Sequence, residues 1–215
     1  MKNKNLVFSV VFFTAFLIFT FFAVFLSSFE YIDKAAETFA VSLRNNELNY
    51  FFGSITNFGN FLVLFIISAV LASIPKIRFK IGFPCLAAIL ISGLFNILLK
   101  LIFKRQRPSG ENLIVESGYS YPSGHSMMIT AVCVMLIIVL YKYFLNNKSR
   151  IIPITISSVF LSLLVVTIGF SRIYLGVHYF TDILGGFLIS MSIIFLIFYI
   201  EPFLLKKLRK KKIDI

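Results

Sequence analysis

Long apolar runs separated by short polar segments follow one another along most of the chain. Runs of this length are typical of α-helices that cross the ~30 Å apolar core of a bilayer. The pattern predicts six such helices, over residues 6–26, 58–74, 81–103, 124–144, 151–170 and 179–203. Because no linker or shift in composition divides the chain, we expect an all-α polytopic membrane protein with a single six-helix bundle over residues 1–215.

Two segments outside this regular alternation need their own interpretation. The run over residues 6–26 follows Lys2 and Lys4, as the core of a signal peptide would, but it exceeds the ~7–15 apolar residues usual for such a core. We therefore predict a retained first span. Residues 29–56 mix charged and apolar side chains, which is typical of an amphipathic segment lying on the bilayer surface.

Composition supports the membrane assignment and excludes two other classes of protein. Hydrophobic residues make up 59% of the 215 residues, charged residues 14%, and the mean hydropathy is +0.93, which no ordinary soluble domain reaches. The net charge of +12 does not indicate a nucleic-acid partner, because the basic residues lie in loops between apolar runs. No feature of the sequence indicates an obligate protein partner. Cys85 and Cys133 fall within predicted spans and are expected to be small core residues.

Candidate chemistry is concentrated where Ser171–Asp182 joins the last two spans. If a helix begins near His178, Asp182 lies four residues further on the same face, and its carboxylate accepts a hydrogen bond from one ring nitrogen. The other ring nitrogen then stays basic, as an activated nucleophile requires. An alternative is structural: an arginine reaching toward water, an interfacial histidine and a helix-capping aspartate are all common at membrane boundaries.

Two further segments favour the chemical interpretation. Lys100 and Arg107 lie near the end of the third predicted span, and Ser123, Gly124 and His125 open the fourth. Arginine forks and a lysine ammonium bind phosphate oxygens, and backbone N–H groups at a helix start form a natural anion site. The chain has two histidines, and both lie in these segments.

Together these residues predict a phosphate-binding site that works without a metal. Lys100, Arg107 and Arg172 supply three cations, and Ser123 and Gly124 supply a hydroxyl and backbone donors. We find no carboxylate cluster and no His/Cys set at the spacing of metal ligands. No cofactor is therefore expected.

The distribution of basic residues predicts how the chain is oriented. An even number of spans puts both termini on one side, and 14 of the 21 Lys and Arg residues lie there: Lys2, Lys4, Lys76, Arg78, Lys80, Lys142, Lys148, Arg150 and six in the tail over residues 206–212. The positive-inside rule then makes both termini cytoplasmic. The same alternation brings the three candidate segments together at the outer face of the plasma membrane.

In these residues the sequence resembles the type 2 phosphatidic acid phosphatase (PAP2) superfamily. Its three signatures are Lys, six residues, Arg-Pro; Pro-Ser-Gly-His; and Ser-Arg, five residues, His, three residues, Asp. Lys100–Pro108, Pro122–His125 and Ser171–Asp182 match them without a gap or substitution. The residues around these motifs are most similar to those of bacterial phosphatidylglycerophosphatase B-type and undecaprenyl-diphosphate phosphatases.

The resemblance implies a fold and a role for each motif residue. The fold is the six-helix membrane bundle of the acid phosphatase and haloperoxidase type. His178 attacks phosphorus and forms a phosphohistidine, Asp182 orients His178, and His125 is the general acid and base. The phosphate-binding residues are Lys100, Arg107, Ser123, Gly124 and Arg172.

The function expected from this resemblance is hydrolysis of a lipid phosphate or diphosphate at the outer leaflet. Phosphatidylglycerophosphate, undecaprenyl diphosphate and phosphatidic acid share the phosphate that such a site binds, so the substrate stays open, with a preference for the first two. Two alternatives remain: a lipid phosphotransferase that uses the same phosphohistidine, and a non-catalytic lipid-binding or transport bundle.

Several neighbours of the motifs receive simpler predictions. Lys104 and Arg105 are expected to be solvated loop charges that attract anionic headgroups. Tyr119, Tyr121, Tyr174 and Tyr179 are expected to be mostly interfacial aromatic residues, with one or two lining the lipid path. The pair Gly185-Gly186 is expected to mark a close contact between helices.

Overall fold

The computed structural model describes residues 2–145 and 148–211, and for Lys2, Lys148 and residues 204–211 it describes the backbone alone. Eight α-helices and a few short helical turns lie within these ranges, with no β-strand among them. The helices are α1 (Lys2–Thr20), α2 (Glu30–Ser42), α3 (Asn46–Ile55), α4 (Phe61–Ser73), α5 (Phe83–Phe103), α6 (Gly124–Phe144), α7 (Ile151–Tyr174) and α8 (Phe180–Lys211).

Five helical segments are long and apolar enough to cross a bilayer alone. They are Asn3–Phe25, Arg78–Phe103, Gly124–Phe144, Ile151–Tyr174 and Phe180–Phe203, of which the first two include π-helical turns at Phe21–Phe25 and Arg78–Gly82. Large apolar side chains project outward from them, as Phe160 and Val166 do from α7. The predicted all-α, multi-pass membrane fold is confirmed.

The second predicted span differs from the structure in its form. Helix α4 has 13 residues, so at 1.5 Å per residue it measures only about 20 Å. The segments Asn46–Gly59 and Phe61–Ser73 reach spanning length only when they are taken together, and they meet at a bend of 49°. Asn60 lies at the bend with extended backbone, and its side chain accepts a hydrogen bond from the N–H of Leu62 at 2.9 Å.

Helix α6 lies at the centre of the bundle, against α5, α7 and α8. Its first half is buried almost without interruption, from Ser126 to Cys133. Helix α1 packs along α8, where Ser9 donates a hydrogen bond to the Ser192 carbonyl at 2.9 Å. Oγ of Ser126 donates to the Ile183 carbonyl at 3.0 Å, so the N-terminal ends of α6 and α8 lie side by side.

Helices α2 and α3 occupy most of the predicted surface segment and pack against the C-terminal end of α7. The rings of Phe52 and Tyr174 lie 4.4 Å apart between centroids, and Arg44 donates to the Tyr174 carbonyl at 2.8 Å. Tyr174 and Tyr121 are buried rather than interfacial, which corrects their prediction. Each ring is enclosed by helices and its hydroxyl is hydrogen-bonded, to Asn49 and to Thr20 at 2.7 Å.

Candidate active site

The three motif segments meet at one end of the bundle. The C-terminal ends of α5 and α7 and the N-terminal ends of α6 and α8 come together there. The irregular loop over residues 104–123 connects α5 to α6, and residues 175–179 connect α7 to α8. The Ser123 N–H donates to the Asp182 carbonyl at 3.1 Å, and Nη1 of Arg107 donates to the Val177 carbonyl at 2.9 Å. Residues that lie far apart in the sequence therefore share one site.

His178 and Asp182 are in direct contact. Nδ1 of His178 lies 3.2 Å from Oδ2 of Asp182, and both side chains are buried. The local backbone differs from the prediction, because α8 begins at Phe180 and leaves His178 in the preceding turn. Oδ2 of Asp182 reaches back to the N–H of Tyr179 at 2.9 Å, as in a capping box, and this contact brings the carboxylate to the ring.

This contact determines which ring nitrogen of His178 is free. An ionised carboxylate can only accept hydrogen bonds, so Nδ1 carries the proton and Nε2 keeps its lone pair. Burial lowers the pKa of His178 to about 4, since the hydrogen bond and negative charge of Asp182 only partly oppose it. At neutral pH the imidazole is therefore uncharged, and Nε2 carries its lone pair.

Arg107 is held beside this nitrogen. Its Nη1 lies 3.4 Å from Nε2 of His178, and its Nε and Nη2 donate to the carbonyls of Gly118 and Ser117 at 3.0 and 3.1 Å. Burial lowers the pKa of Arg107, and the charges of Glu116 and Asp182 oppose that shift. The guanidinium is thus held by backbone oxygens beside Nε2 of His178.

Arg172 is almost completely buried, with only 1% of its surface exposed. Nη1 donates to Oγ1 of Thr56 at 2.9 Å, and Nη2 forms an ion pair with Glu116. Among the described residues, Nε of Arg172 finds no hydrogen-bond partner. A buried donor without a partner costs ~1–3 kcal/mol, so this nitrogen is well suited to receive a ligand oxygen.

Glu116 is a site residue that the sequence did not reveal. Its carboxylate pairs with Arg172 and lies 3.4 Å from Nη2 of Arg107. Burial alone would raise the pKa of Glu116, but Arg172, Arg107 and His125 lower it below its ordinary value. An acidic residue in a loop carries no motif signal, and only its placement between two arginines distinguishes it.

The other predicted residues surround these groups. The charges of Lys100 and His125 are close enough to those of Arg172 and Glu116 to interact with them electrostatically. His125 packs against Gly59, where an added Cβ would lie 3.1 Å from the ring. The turn at the bend between α3 and α4 thus supports His125, while its Thr56 supports Arg172.

Ser123 and Gly124 form the start of α6. The Ser123 hydroxyl caps the helix through the N–H of Ser126 at 3.4 Å, and Asn96 of α5 donates to the Pro122 carbonyl at 3.0 Å. A Cβ on Gly124 would lie 3.1 Å from Oδ1 of Asn96. The tight approach of α5 keeps this helix start in place beside the histidines.

Arg105 contradicts its prediction as a solvated loop charge. It is partly buried and pairs with both Asp33 and Asp182, at 2.8 and 2.7 Å. Lys104, its neighbour, is exposed. The error has a physical cause: the partner Asp33 lies 72 residues earlier in the sequence, so no local pattern connects the two.

The donor set offers little to a metal ion. No group of three or more His, Cys, Asp or Glu side chains in the described ranges is arranged to hold one. The side chains that converge are mainly cationic, which suits an anion. Arginine and lysine together match the several oxygens of a phosphate group.

Comparisons with known proteins agree with this geometry. The model of the PAP2 superfamily matches residues 82–206. The chain is 33% identical over 172 residues to phosphatidylglycerophosphatase B of Bacillus subtilis strain 168, covering 77% of this chain and 81% of that protein. It is 26% identical over 153 residues to the undecaprenyl-diphosphatase of Sulfolobus acidocaldarius, covering 68% of each.

A solved structure gives the same result. The crystal structure of a transmembrane PAP2-type phosphatidylglycerolphosphate phosphatase from Bacillus subtilis matches with a TM-score of 0.73 and 31% identity, over 88% of this chain and 94% of that one. Family, sequence and fold agree with the three motifs and the site they form. The chain therefore belongs to the PAP2 superfamily, as a multi-pass membrane lipid phosphatase.

Proposed function

We propose that this protein hydrolyses a lipid phosphate or diphosphate through a phosphohistidine formed on His178. The observation that supports this most directly is the orientation of the ring: Nδ1 faces Asp182 at 3.2 Å and Nε2 faces Arg107 at 3.4 Å. A phosphate bound to Arg107 therefore brings its phosphorus close to a neutral nitrogen with a free lone pair. Such positioning supplies much of the rate in phosphoryl transfer.

The reaction has two steps. In the first, Nε2 of His178 bonds to phosphorus while the bond from phosphorus to the lipid oxygen breaks, and His125 gives that oxygen a proton. In the second, His125 takes a proton from a water molecule whose oxygen bonds to phosphorus. The bond from phosphorus to nitrogen breaks, inorganic phosphate forms and His178 regains its lone pair.

The cations stabilise charge in both steps. Lys100, Arg107 and Arg172 compensate the charge on the non-bridging oxygens, and Ser123 and Gly124 contribute donors at the start of α6. Asp182 stabilises the ring when it carries the phosphoryl group, because the modified imidazole is then positively charged. In this proposal no step requires a metal ion or another cofactor.

The substrate class follows from the relatives and the setting. One relative is named for phosphatidylglycerophosphate and another for undecaprenyl diphosphate, so we propose one of these as substrate and keep phosphatidic acid as a comparison. The distribution of Lys and Arg supports cytoplasmic termini in the plasma membrane, with the site at the outer face. The substrate would then reach the site from the outer leaflet.

Phosphate release by purified protein tests the proposal. The panel contains the three lipids, each assayed in EDTA, and His178→Ala is assayed beside the wild type. We expect activity in EDTA, a phosphoenzyme that can be trapped by rapid quenching, and loss of both in His178→Ala. Lipid hydrolysis that persists in His178→Ala, or that stops in EDTA and returns with Mg²⁺, would contradict the mechanism.

A second variant separates the histidines. His125→Ala removes the proton donor, which is worth about 10²–10⁴ in rate for a poor leaving group. We expect the larger loss with monoesters, whose alkoxide needs that proton, and the smaller loss with the diphosphate, whose leaving group is a stable phosphate. Equal losses with both classes would contradict the role of His125.

A further inference from the structure

Arg105 connects the start of α8 to helix α2. Its Nη1 donates to Oγ1 of Thr181 and to Oδ1 of Asp182, both at 2.7 Å, and its Nη2 donates to Oδ2 of Asp33 at 2.8 Å. The guanidinium also lies over the ring of Tyr179, 4.2 Å from its centroid. Arg105 thus contacts Tyr179, Thr181 and Asp182 at the start of α8. On α2 it contacts Asp33.

Asp33 is bound to the same helix start. Its Oδ1 accepts from the N–H of Thr181 at 2.9 Å, and its Oδ2 accepts from the Thr181 hydroxyl at 2.7 Å. The side chain is buried although it lies on an amphipathic helix. A carboxylate at this position satisfies a free N–H of the first turn and interacts favourably with the helix dipole.

Arg105 offsets part of the negative charge of the two carboxylates it contacts. Asp33 and Asp182 are both buried carboxylates, and the guanidinium lies between them. A buried charge that loses its partner is strongly unfavourable. Removing Arg105 would therefore leave two acidic groups near each other at the start of α8.

The two oxygens of Asp182 have separate partners. Oδ2 accepts from His178, Tyr179 and Ser120, whereas Oδ1 accepts from Arg105. A carboxylate bonded through both oxygens cannot rotate about its last torsion. Arg105 consequently fixes the plane of Asp182, and with it the direction of the bond to His178.

We propose that Asp33 and Arg105 form a positioning pair, in which Asp33 of α2 holds Arg105 so that Arg105 aligns Asp182 with His178. The proposal rests on the phosphohistidine function above and adds two residues that the three motifs do not specify: Asp33 lies outside them, and Arg105 occupies one of the unspecified positions between Lys100 and Arg107. Neither residue touches the reacting atoms. Their effect on turnover is transmitted through Asp182.

If Asp33 and Arg105 act through Asp182, their charges also affect the protonation of His178, which a purely structural role would not. The groups that act on the charge of His178 are Asp182 of α8, Arg107 of the loop, Arg172 of α7 and His125 of α6. Arg105 weakens the effect of Asp182, because it partly neutralises that carboxylate. Asp33 in turn partly neutralises Arg105.

Removing Arg105 and removing Asp33 should therefore shift the acid limb of the pH profile of kcat/KM in opposite directions. Without the cation in Arg105→Gln, the negative charge of Asp182 favours the imidazolium more strongly, and the limb moves to higher pH. Without the anion in Asp33→Asn, the imidazolium is less favoured and the limb moves to lower pH. The substrate is the same throughout, so its own ionisation cancels in the comparison with wild type. Shifts of about one pH unit are typical of a neighbouring charge.

The experiment measures kcat, KM and the pH profile for these two variants, for Arg105→Lys and for two controls, all in the full-length protein. Lys104→Gln and Glu30→Gln are matched controls, because they remove the same charges from exposed neighbours on the same segments. We expect kcat to fall about 10- to 100-fold in Arg105→Gln and Asp33→Asn, with KM within about threefold, as for a small misplacement of the nucleophile. Arg105→Lys should recover part of kcat, because it restores the charge without the fork.

The outcomes separate this proposal from the proposed function. Opposite shifts of the acid limb, with unchanged profiles in both controls, support the pair. Profiles in Arg105→Gln and Asp33→Asn that match wild type, or that shift in the same direction, would overturn it. Should Arg105→Gln not yield folded protein, as judged by gel filtration in detergent, Asp33→Asn and Arg105→Lys decide. An acid limb at lower pH in Asp33→Asn with a wild-type profile in Arg105→Lys supports the pair, and an unshifted or raised limb in Asp33→Asn overturns it. If His178→Ala keeps wild-type activity, the proposed function itself fails.

Discussion

Glu116 and Arg172 form an ion pair inside the site that we propose binds phosphate. Nη2 of Arg107 lies near the same carboxylate, 3.4 Å from Oε2 of Glu116. A side-chain anion therefore holds two of the cations that a phosphate would use. Substrate and product must compete with Glu116 for these arginines, and the negative charge of Glu116 opposes the approach of another anion.

This relationship predicts the effect of Glu116→Gln on product inhibition. Gln keeps the shape of the side chain and removes its charge, so inorganic phosphate should inhibit about tenfold more strongly, a change of about 1.4 kcal/mol. The measurement is the inhibition constant of phosphate in the lipid assay. Glu111→Gln, an exposed position in the same loop, is the control. Equal or weaker inhibition in Glu116→Gln would show that Glu116 does not compete with phosphate.

The second prediction concerns the protonation of His178. Burial lowers its pKa to about 4, so the ring should stay neutral when the pH falls from 7 to 5. Because the chain has two histidines, NMR of protein with isotope-labelled histidine gives two titration curves, and His125→Ala assigns them. A curve for His178 centred near 6.5, the ordinary value, would mean that the ring is exposed to water.

The third prediction tests the contact between α8 and Tyr121. A Cβ on Gly185 would lie 2.3 Å from the Tyr121 hydroxyl oxygen and 2.5 Å from Cζ. The ring cannot move aside easily, because it lies between Phe16 and Phe103 and its hydroxyl binds Thr20. Gly185→Ala should therefore cost about 1–3 kcal/mol of stability.

Thermal unfolding in detergent measures this effect against a matched glycine. Gly53 lies within α3, and a Cβ added there would meet no atom within 4 Å apart from its chain neighbours and the backbone of its own helix. Gly53→Ala should raise stability by about 0.5–1 kcal/mol, because alanine favours the helix. If both variants unfold at the wild-type temperature, the close contact at Gly185 does not limit the fold.

The fourth prediction concerns orientation in the membrane. In a background without Cys85 and Cys133, a cysteine at Ser109 or Val115 should react in intact cells with a membrane-impermeant thiol reagent. Both positions are exposed in the loop that carries Arg107. A cysteine at Ser149 should react only after permeabilisation, because the positive-inside rule puts that turn in the cytoplasm. The reverse pattern would move the site to the cytoplasmic face.

Gly118 is a poorer labelling position than these two, although it lies in the same loop. Its φ is +75°, a left-handed conformation that a cysteine adopts only with strain. Its carbonyl also accepts a hydrogen bond from Arg107 at 3.0 Å. A cysteine there would disturb the site whose location it is meant to report.

The sequence by itself determined the membrane class, the positions of most of the long apolar helices and the meeting of the three motifs at one end of the bundle. These features depend on local information. A run of apolar residues must be helical in a bilayer, since every backbone N–H and C=O needs a partner there. Alternating spans then bring the ends at Lys100, Ser123 and Arg172 to the same face.

The tertiary structure decided which charged neighbours belong to the site. Arg105, predicted to be solvated, is enclosed because α2 brings Asp33 to it from 72 residues away, and Asp33 reaches Thr181 across 148 residues. Glu116 is defined only by the two arginines around it. A charged side chain in a loop has the same sequence pattern whether it faces water or a partner. Only the packing of distant helices fixes its distance to an opposite charge, and that distance determines whether it is solvated or part of the site.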